Sequence, residues 1–239
     1  MNSIIVVQIG FIVLTVVMYV LLLRELRKGI AATAWDEARK KGAFSKIVIT
    51  LLTWTIFISG ASISGVLSDF AKFPPRVVIV LLAPMIGLLS VLFSNPTREV
   101  LMNIPAKSLV SLQIFRVFVE ILLWMSFLQN LLPVQMTFEG RNFDVLSGLT
   151  APFAAYFLAN NRIGLVVWNI LSLALLANIL AVAVLSMPTP FRYFINEPSN
   201  TIVTTFPFIW LPGLLVPLAY GLSFLSLRQV AIQNSMKPS

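Results

Sequence analysis

The amino-acid sequence predicts an all-α, polytopic membrane bundle of about seven transmembrane helices, N-terminus outside and C-terminus inside. Three observations predict it. Of 239 residues, 58% are hydrophobic and only 11% charged, whereas soluble domains carry about 25% charged residues. The apolar residues gather into seven runs of a length suited to a hydrocarbon core of about 30 Å, at about 1.5 Å per residue. The basic residues fall between the runs and are unequally shared between alternate loops. The length suits one helical domain, 1–239, with no room for a soluble domain beside it.

Span one, 4–23, is apolar apart from Gln8, Thr15 and Tyr19. No positive stretch precedes Ile4 and no small-residue cleavage site follows, so it reads as a first span rather than a cleaved signal. The next stretch, 24–46, carries Arg24, Arg27, Lys28, Arg39, Lys40, Lys41 and Lys46. It reads as a solvated basic loop that fixes orientation. Its part 31–41, with Trp35 among Asp36, Glu37, Arg39 and Lys40, also suits an interfacial helix. Span two, 47–67, contains the small residues Ser59, Gly60, Ala61, Ser62, Ser64 and Gly65, which let a neighbouring helix approach.

Span three, 77–93, follows Pro74-Pro75, holds Pro84 and is stopped by Asn95-Pro96. Span four is 109–128. Span five, 143–159, holds Gly148 and Pro152 and ends at the turn Asn160-Asn161-Arg162. Span six is 163–185. Span seven, 201–227, has Pro207, Pro212 and Pro217 at five-residue intervals, which predicts a kinked or curved helix with freed carbonyls. A short polar tail follows. Spans three and five are the shortest, and each also suits a re-entrant segment.

With the N-terminus outside, the inside loops hold twelve Lys/Arg and the outside loops four, with Arg116 left inside a span. That asymmetry sets the expected orientation. It also accounts for the formal net charge of +8 without nucleic acid, for which no motif is present.

The chain has no cysteine and no histidine. Disulfides, thiolate nucleophiles, imidazole-ligated haem, most zinc sites and Ser-His or Cys-His catalysis are excluded. No cofactor, metal ligand set or catalytic group is expected. All seven lysines lie outside the spans, which excludes a retinal Schiff base of the kind other seven-helix proteins form. No glycine-rich phosphate loop occurs.

Span four carries the chemistry. Gln113, Arg116 and Glu120 are spaced by three and four residues, so they share one helical face near mid-membrane. A charge there costs about 2.5–3.5 kcal/mol on insertion scales, so this face must look into the bundle. Arg116 and Glu120, one turn apart, are expected to neutralise each other. The pair suits a site in which Arg116 holds an anionic group and Glu120 carries a proton, ahead of the alternative, an internal salt bridge that pins span four. In span six Asn169 and Ser172 share a face, with Asn169 a candidate partner of the pair, while Asn178 points away. The stretch between spans four and five offers a rim of Glu139, Arg141, Asn142 and Asp144. It also suits an ordered connection in which Asp144 caps span five and Glu139 pairs with Arg141.

These features suit a small permease or ligand-binding membrane protein for an anionic or proton-coupled solute. The alternatives are a non-enzymatic subunit or assembly factor of a membrane complex and, third, a lipid-modifying enzyme using Glu120 or Asp144 as acid–base. Expected partners are membrane lipid, a small-molecule ligand, and a membrane protein or second copy. The expected location is a bacterial cytoplasmic (inner) membrane.

Overall fold

The computed structural model describes residues 3–72 and 74–235. It is helical throughout, with no strand among the described residues. The helices are α1 (Ser3–Ala31), α2 (Glu37–Ile63), α3 (Arg76–Leu92), α4 (Asn95–Met102), α5 (Ala106–Ser111), α6 (Phe115–Phe127), α7 (Val145–Phe153), α8 (Arg162–Leu185) and α9 (Val216–Ser235). A 3-10 turn, Leu112–Ile114, joins α5 to α6. Wider π-turns continue α7 (Ala154–Leu158) and precede α9 (Leu211–Leu215).

Five helical stretches are long and apolar enough to cross a membrane: Ile4–Ala31, Glu37–Ile63, Ala106–Phe127, Arg162–Leu185 and Leu211–Gln233. A sixth is reached only if α3 and α4, bent by 82°, count as one. Of the seven crossings expected, five helices have the length and composition of a span on their own, or six with the bent pair. The two spans that fall outside the five are the ones the sequence marks as shortest. Asn95-Pro96 ends span three as expected. It also starts α4, whose N-terminus is capped by Ser94 Oγ accepting from the Thr97 amide at 3.3 Å. Span five is reduced to Val145–Leu158.

The basic loop is also corrected. Helix α1 runs to Ala31, and α2 starts at Glu37, capped by Asp36 accepting from the Arg39 amide at 2.7 Å. What separates them is a tight turn, so the lysines and arginines ride on helix ends. Trp35 is buried in that turn rather than laid on an interface. Its indole N–H donates to Glu99 of α4 at 2.5 Å, and the Arg39 guanidinium lies 4.2 Å from its ring centre.

Span seven begins about ten residues later than expected. The stretch 201–210 is a 3-10 turn (Ile202–Thr204) followed by further turns. Pro207 lies in that stretch, Pro212 in the first turn of the π segment and Pro217 at the start of α9. Pro212 falls in the first turn, where no N–H is needed, whereas Pro217 lies further along the continuous helix Leu211–Gln233 and leaves the Gly213 carbonyl without its helical donor. The polar tail beyond Ser235 lies outside the described residues.

The main core cluster includes Phe11, Ile58, Leu101, Leu132, Met136, Ile209, Leu215 and Leu222, and a smaller one packs Val110, Ala154, Ala155, Leu165 and Val230. Large apolar side chains on the outward faces, such as Ile56, Ile86, Phe93 and Ile170, are exposed. Water would penalise them and lipid would not. Hydrogen bonds tie the α1–α2 turn, α4, the start of α5, the start of α8 and the end of α9 to one end. Arg228 Nη2 donates to the Ser94 carbonyl at 3.0 Å, Gln229 Nε2 to Leu101 O at 2.8 Å, and Arg162 Nη2 to Gln233 O at 3.3 Å. Arg98, Lys107, Arg162 and Arg228 therefore join the charges of the α1–α2 turn at a single basic end.

Candidate functional site

Arg116 lies near the middle of Ala106–Phe127, and Ser172 near the middle of Arg162–Leu185. Both are 2% exposed. Arg116 Nε donates to Asp144 Oδ2 at 2.7 Å and Nη2 to Asp144 Oδ1, a bidentate pair; Nη1 donates to Ser172 Oγ and Nη2 to the Ser172 carbonyl at 3.1 Å. The expected partner, Glu120, is replaced by Asp144. The reason is geometric: a planar guanidinium binds best across a gap, where both carboxylate oxygens can face its fork, and not along its own helix.

Asp144 reaches this depth because α7 does not fill the span. Gly148 packs against α6 so closely that a Cβ there would stand 2.7 Å from the Val117 amide nitrogen. That register sets the start of α7 near the level of Glu120, well inside the span. The column beyond it is filled by the 3-10 turn Val134–Met136 and a tight loop. Gly140 closes that loop, since a Cβ would lie 2.4 Å from the Val134 carbonyl oxygen. Irregular backbone at such depth survives only when it is enclosed by protein or lines a cavity.

Asn142 holds this loop to span four. Its Nδ2 donates to Glu120 Oε1 and to the Met136 carbonyl at 3.2 Å, and its Oδ1 accepts from the Asp144 amide at 3.1 Å. The Phe138 backbone amide also approaches the Glu120 carboxyl group. Glu120 Oε2 keeps no hydrogen-bond partner although the residue is 2% exposed. It lines a cavity of about 80 Å³ together with Asn142, Asp144 and Asn200, inside walls of Val77, Leu123, Leu176, Met187 and Val203. Asn200 Nδ2 donates to the Ala183 carbonyl at 2.9 Å, which leaves its buried Oδ1 as a second unpartnered acceptor.

The remaining expected site residues sit elsewhere. Gln113 turns to α9, donating to Ala219 O at 3.2 Å and Ser223 Oγ at 2.9 Å. Asn169 donates to Leu165 O at 2.8 Å and Ser226 Oγ at 2.9 Å, so it does not join Arg116; its neighbour Ser172 does. Glu139 and Arg141 do not pair with each other. Glu139 Oε1 accepts from the Trp124 indole at 2.6 Å, and the Arg141 guanidinium faces the Phe194 ring at 5.3 Å. Asp144 makes no side-chain cap on α7, because its oxygens are taken by Arg116. Asn178 donates to Arg141 O at 2.8 Å.

Sequence reasoning missed Asn200 and the polar row Ser223, Ser226 and Gln229 on α9. The row was visible as polar residues three apart on an apolar span; Ser223 faces Gln113 of span four, Ser226 faces Asn169 of α8, and Gln229 faces the carbonyls of Leu101 and Ile104. Asn200 gave no such signal, because it closes a proline-containing connection.

No known protein family, curated protein or solved structure matches the chain.

Proposed function

We propose that this chain is an integral membrane protein that binds a small solute inside its helical bundle and works as a small permease. One observation carries the reading: two residues that line one cavity, Glu120 and Asn200, each keep a buried side-chain oxygen, Oε2 and Oδ1, without a hydrogen-bond partner. Buried polar atoms in native proteins are nearly always hydrogen-bonded, and exceptions mark bound water, ions or function. The non-helical loop beside Glu120 supports it, since transporters place substrate where helices are interrupted at mid-depth. The gathering of basic residues at one end supports placing that end on the cytoplasmic side.

Arg116 is not the ligand anchor in this reading. Its donors are spent on Asp144 and Ser172, so its role is to hold α7 and the loop in position. Native mass spectrometry on protein released gently from its own membrane tests the proposal. A bound small molecule is expected in the wild type and is expected to be lost from Glu120→Gln. Wild-type protein that carries no small molecule and leaves the membrane only within a larger protein complex would replace this reading with the subunit one.

A further inference from the structure

Resting on that reading, we infer that the ligand is a small protonated amine. The charge count comes first. Arg116, Asp144 and Glu120 form one buried cluster of one cation and two carboxylates, and Arg116 pairs its charge with Asp144 and turns its other donors to Ser172. Glu120 is left as a surplus buried carboxylate, which a low-dielectric site tolerates only when a proton or another cation neutralises it.

The second argument is the sense of the hydrogen bonds. The polar lining of the cavity offers more free acceptors than donors. Asn142 Nδ2 spends both of its N–H groups, on Glu120 and Met136, and Asn200 Nδ2 spends one of its two on Ala183. Those bonds also fix which end of each amide is oxygen, because a flipped Asn200 would set its oxygen against the Ala183 carbonyl. A ligand that satisfies both free oxygens must donate at least twice. An alkylammonium does so and supplies the missing positive charge. A carboxylate or phosphate would add a third negative group with no cation free to meet it.

Size and wall chemistry complete the description. A cavity of about 80 Å³ is roughly half the ~150 Å³ that holds benzene in an engineered core. It takes a molecule of a few heavy atoms. The walls are aliphatic, with the polarizable thioethers of Met136 and Met187 among them, so the rest of the ligand is a short alkyl group.

The same charge count makes a proton the competitor. The charged groups facing Glu120 are Asp144 and Arg116, and Tyr220 of α9 faces that pair. None of these gives Glu120 a permanent counter-ion, so amine and proton exchange for one another at a single carboxylate.

The test is a thermal-unfolding series on the full chain in detergent. The probes are methylammonium, ethylammonium and propylammonium chlorides, with sodium acetate and propionate as matched anions. The ammonium ions are expected to raise the unfolding temperature, by about 3–6 °C at tenfold excess over the dissociation constant. The anions are expected to have no effect, and Glu120→Gln is expected to abolish the amine effect. Lowering the pH should weaken it in the wild type. Equal stabilisation by the anions, retention of the effect in Glu120→Gln, or no response to any amine would each overturn the inference. A bound molecule of another class in native mass spectrometry, with no amine response, would remove the amine assignment and leave the binding reading standing.

Discussion

Arg116 reaches across from α6 to Asp144 at the head of α7 and passes over Glu120, which lies one turn along its own helix. That choice of partner links the chemistry of the bundle to its architecture. An arginine paired within its own helix would only neutralise a charge. Paired with Asp144, it anchors a half-length helix and the loop that carries Asn142.

The pairing predicts a specific pattern of coupling. Arg116→Ala or Asp144→Ala alone should each cost about 3–5 kcal/mol, because the other charge is left buried and unpaired. The double variant should cost much less than the sum of the two. A matching cycle between Arg116→Ala and Glu120→Ala should show weaker coupling. Thermal unfolding of the two cycles in one detergent decides this, and stronger coupling to Glu120 would refute the assignment.

Gly148 tests the docking of α7 independently. A methyl group there meets the Val117 amide nitrogen at 2.7 Å and Val117 Cγ2 at 2.8 Å. Backbone cannot move aside as a flexible side chain can. Gly148→Ala should therefore destabilise by about 1–3 kcal/mol and weaken ligand retention by shifting Asp144. Gly42 and Gly60 have open space around them, so alanine at either should be neutral or slightly stabilising. A neutral Gly148→Ala, measured beside those two, would show that α7 packs less closely than described.

Orientation can be checked with reporter fusions at both ends of the chain. The fold gathers Arg98, Lys107, Arg162 and Arg228 at the same end as the α1–α2 turn, so the signal is shared. Replacing Arg24, Arg27, Lys28, Arg39, Lys40 and Lys41 by glutamine should give mixed orientation, not clean inversion. Unchanged topology would mean that these charges do not set it.

The membrane class, the helix positions near 4–23, 109–128 and 163–185, and the burial of Gln113, Arg116 and Glu120 were all legible from hydropathy and spacing. Such features depend on residues near one another in sequence. The partner of Arg116 was not legible, because Asp144 is 28 residues away and reads equally well as a helix cap. Its depth depends on where α7 begins, which the contact at Gly148 decides. The start of α9 was missed for a related reason. The stretch 201–210 is as apolar as a span, yet its backbone groups are satisfied by turns and by neighbours such as Ser62, whose Oγ donates to Thr204 O at 2.7 Å.

The proline in α9 offers a final test. Pro217 has no N–H to give the Gly213 carbonyl four residues before it. The Trp54 indole of α2 donates to that carbonyl at 3.0 Å. The approach is close because position 213 carries no side chain; a Cβ there would meet Ile58 Cδ1 at 2.7 Å and Val80 Cγ1 at 3.0 Å. Proline and tryptophan thus act as one unit, the first freeing an acceptor and the second satisfying it. Trp54→Phe should cost about 1–3 kcal/mol, because it strands a carbonyl where no water replaces the donor. In a Pro217→Ala background the new amide can take over, and the cost of Trp54→Phe should fall to that of lost packing alone. An equal cost in both backgrounds, by thermal unfolding, would mean that the indole acts through its ring and not through its N–H.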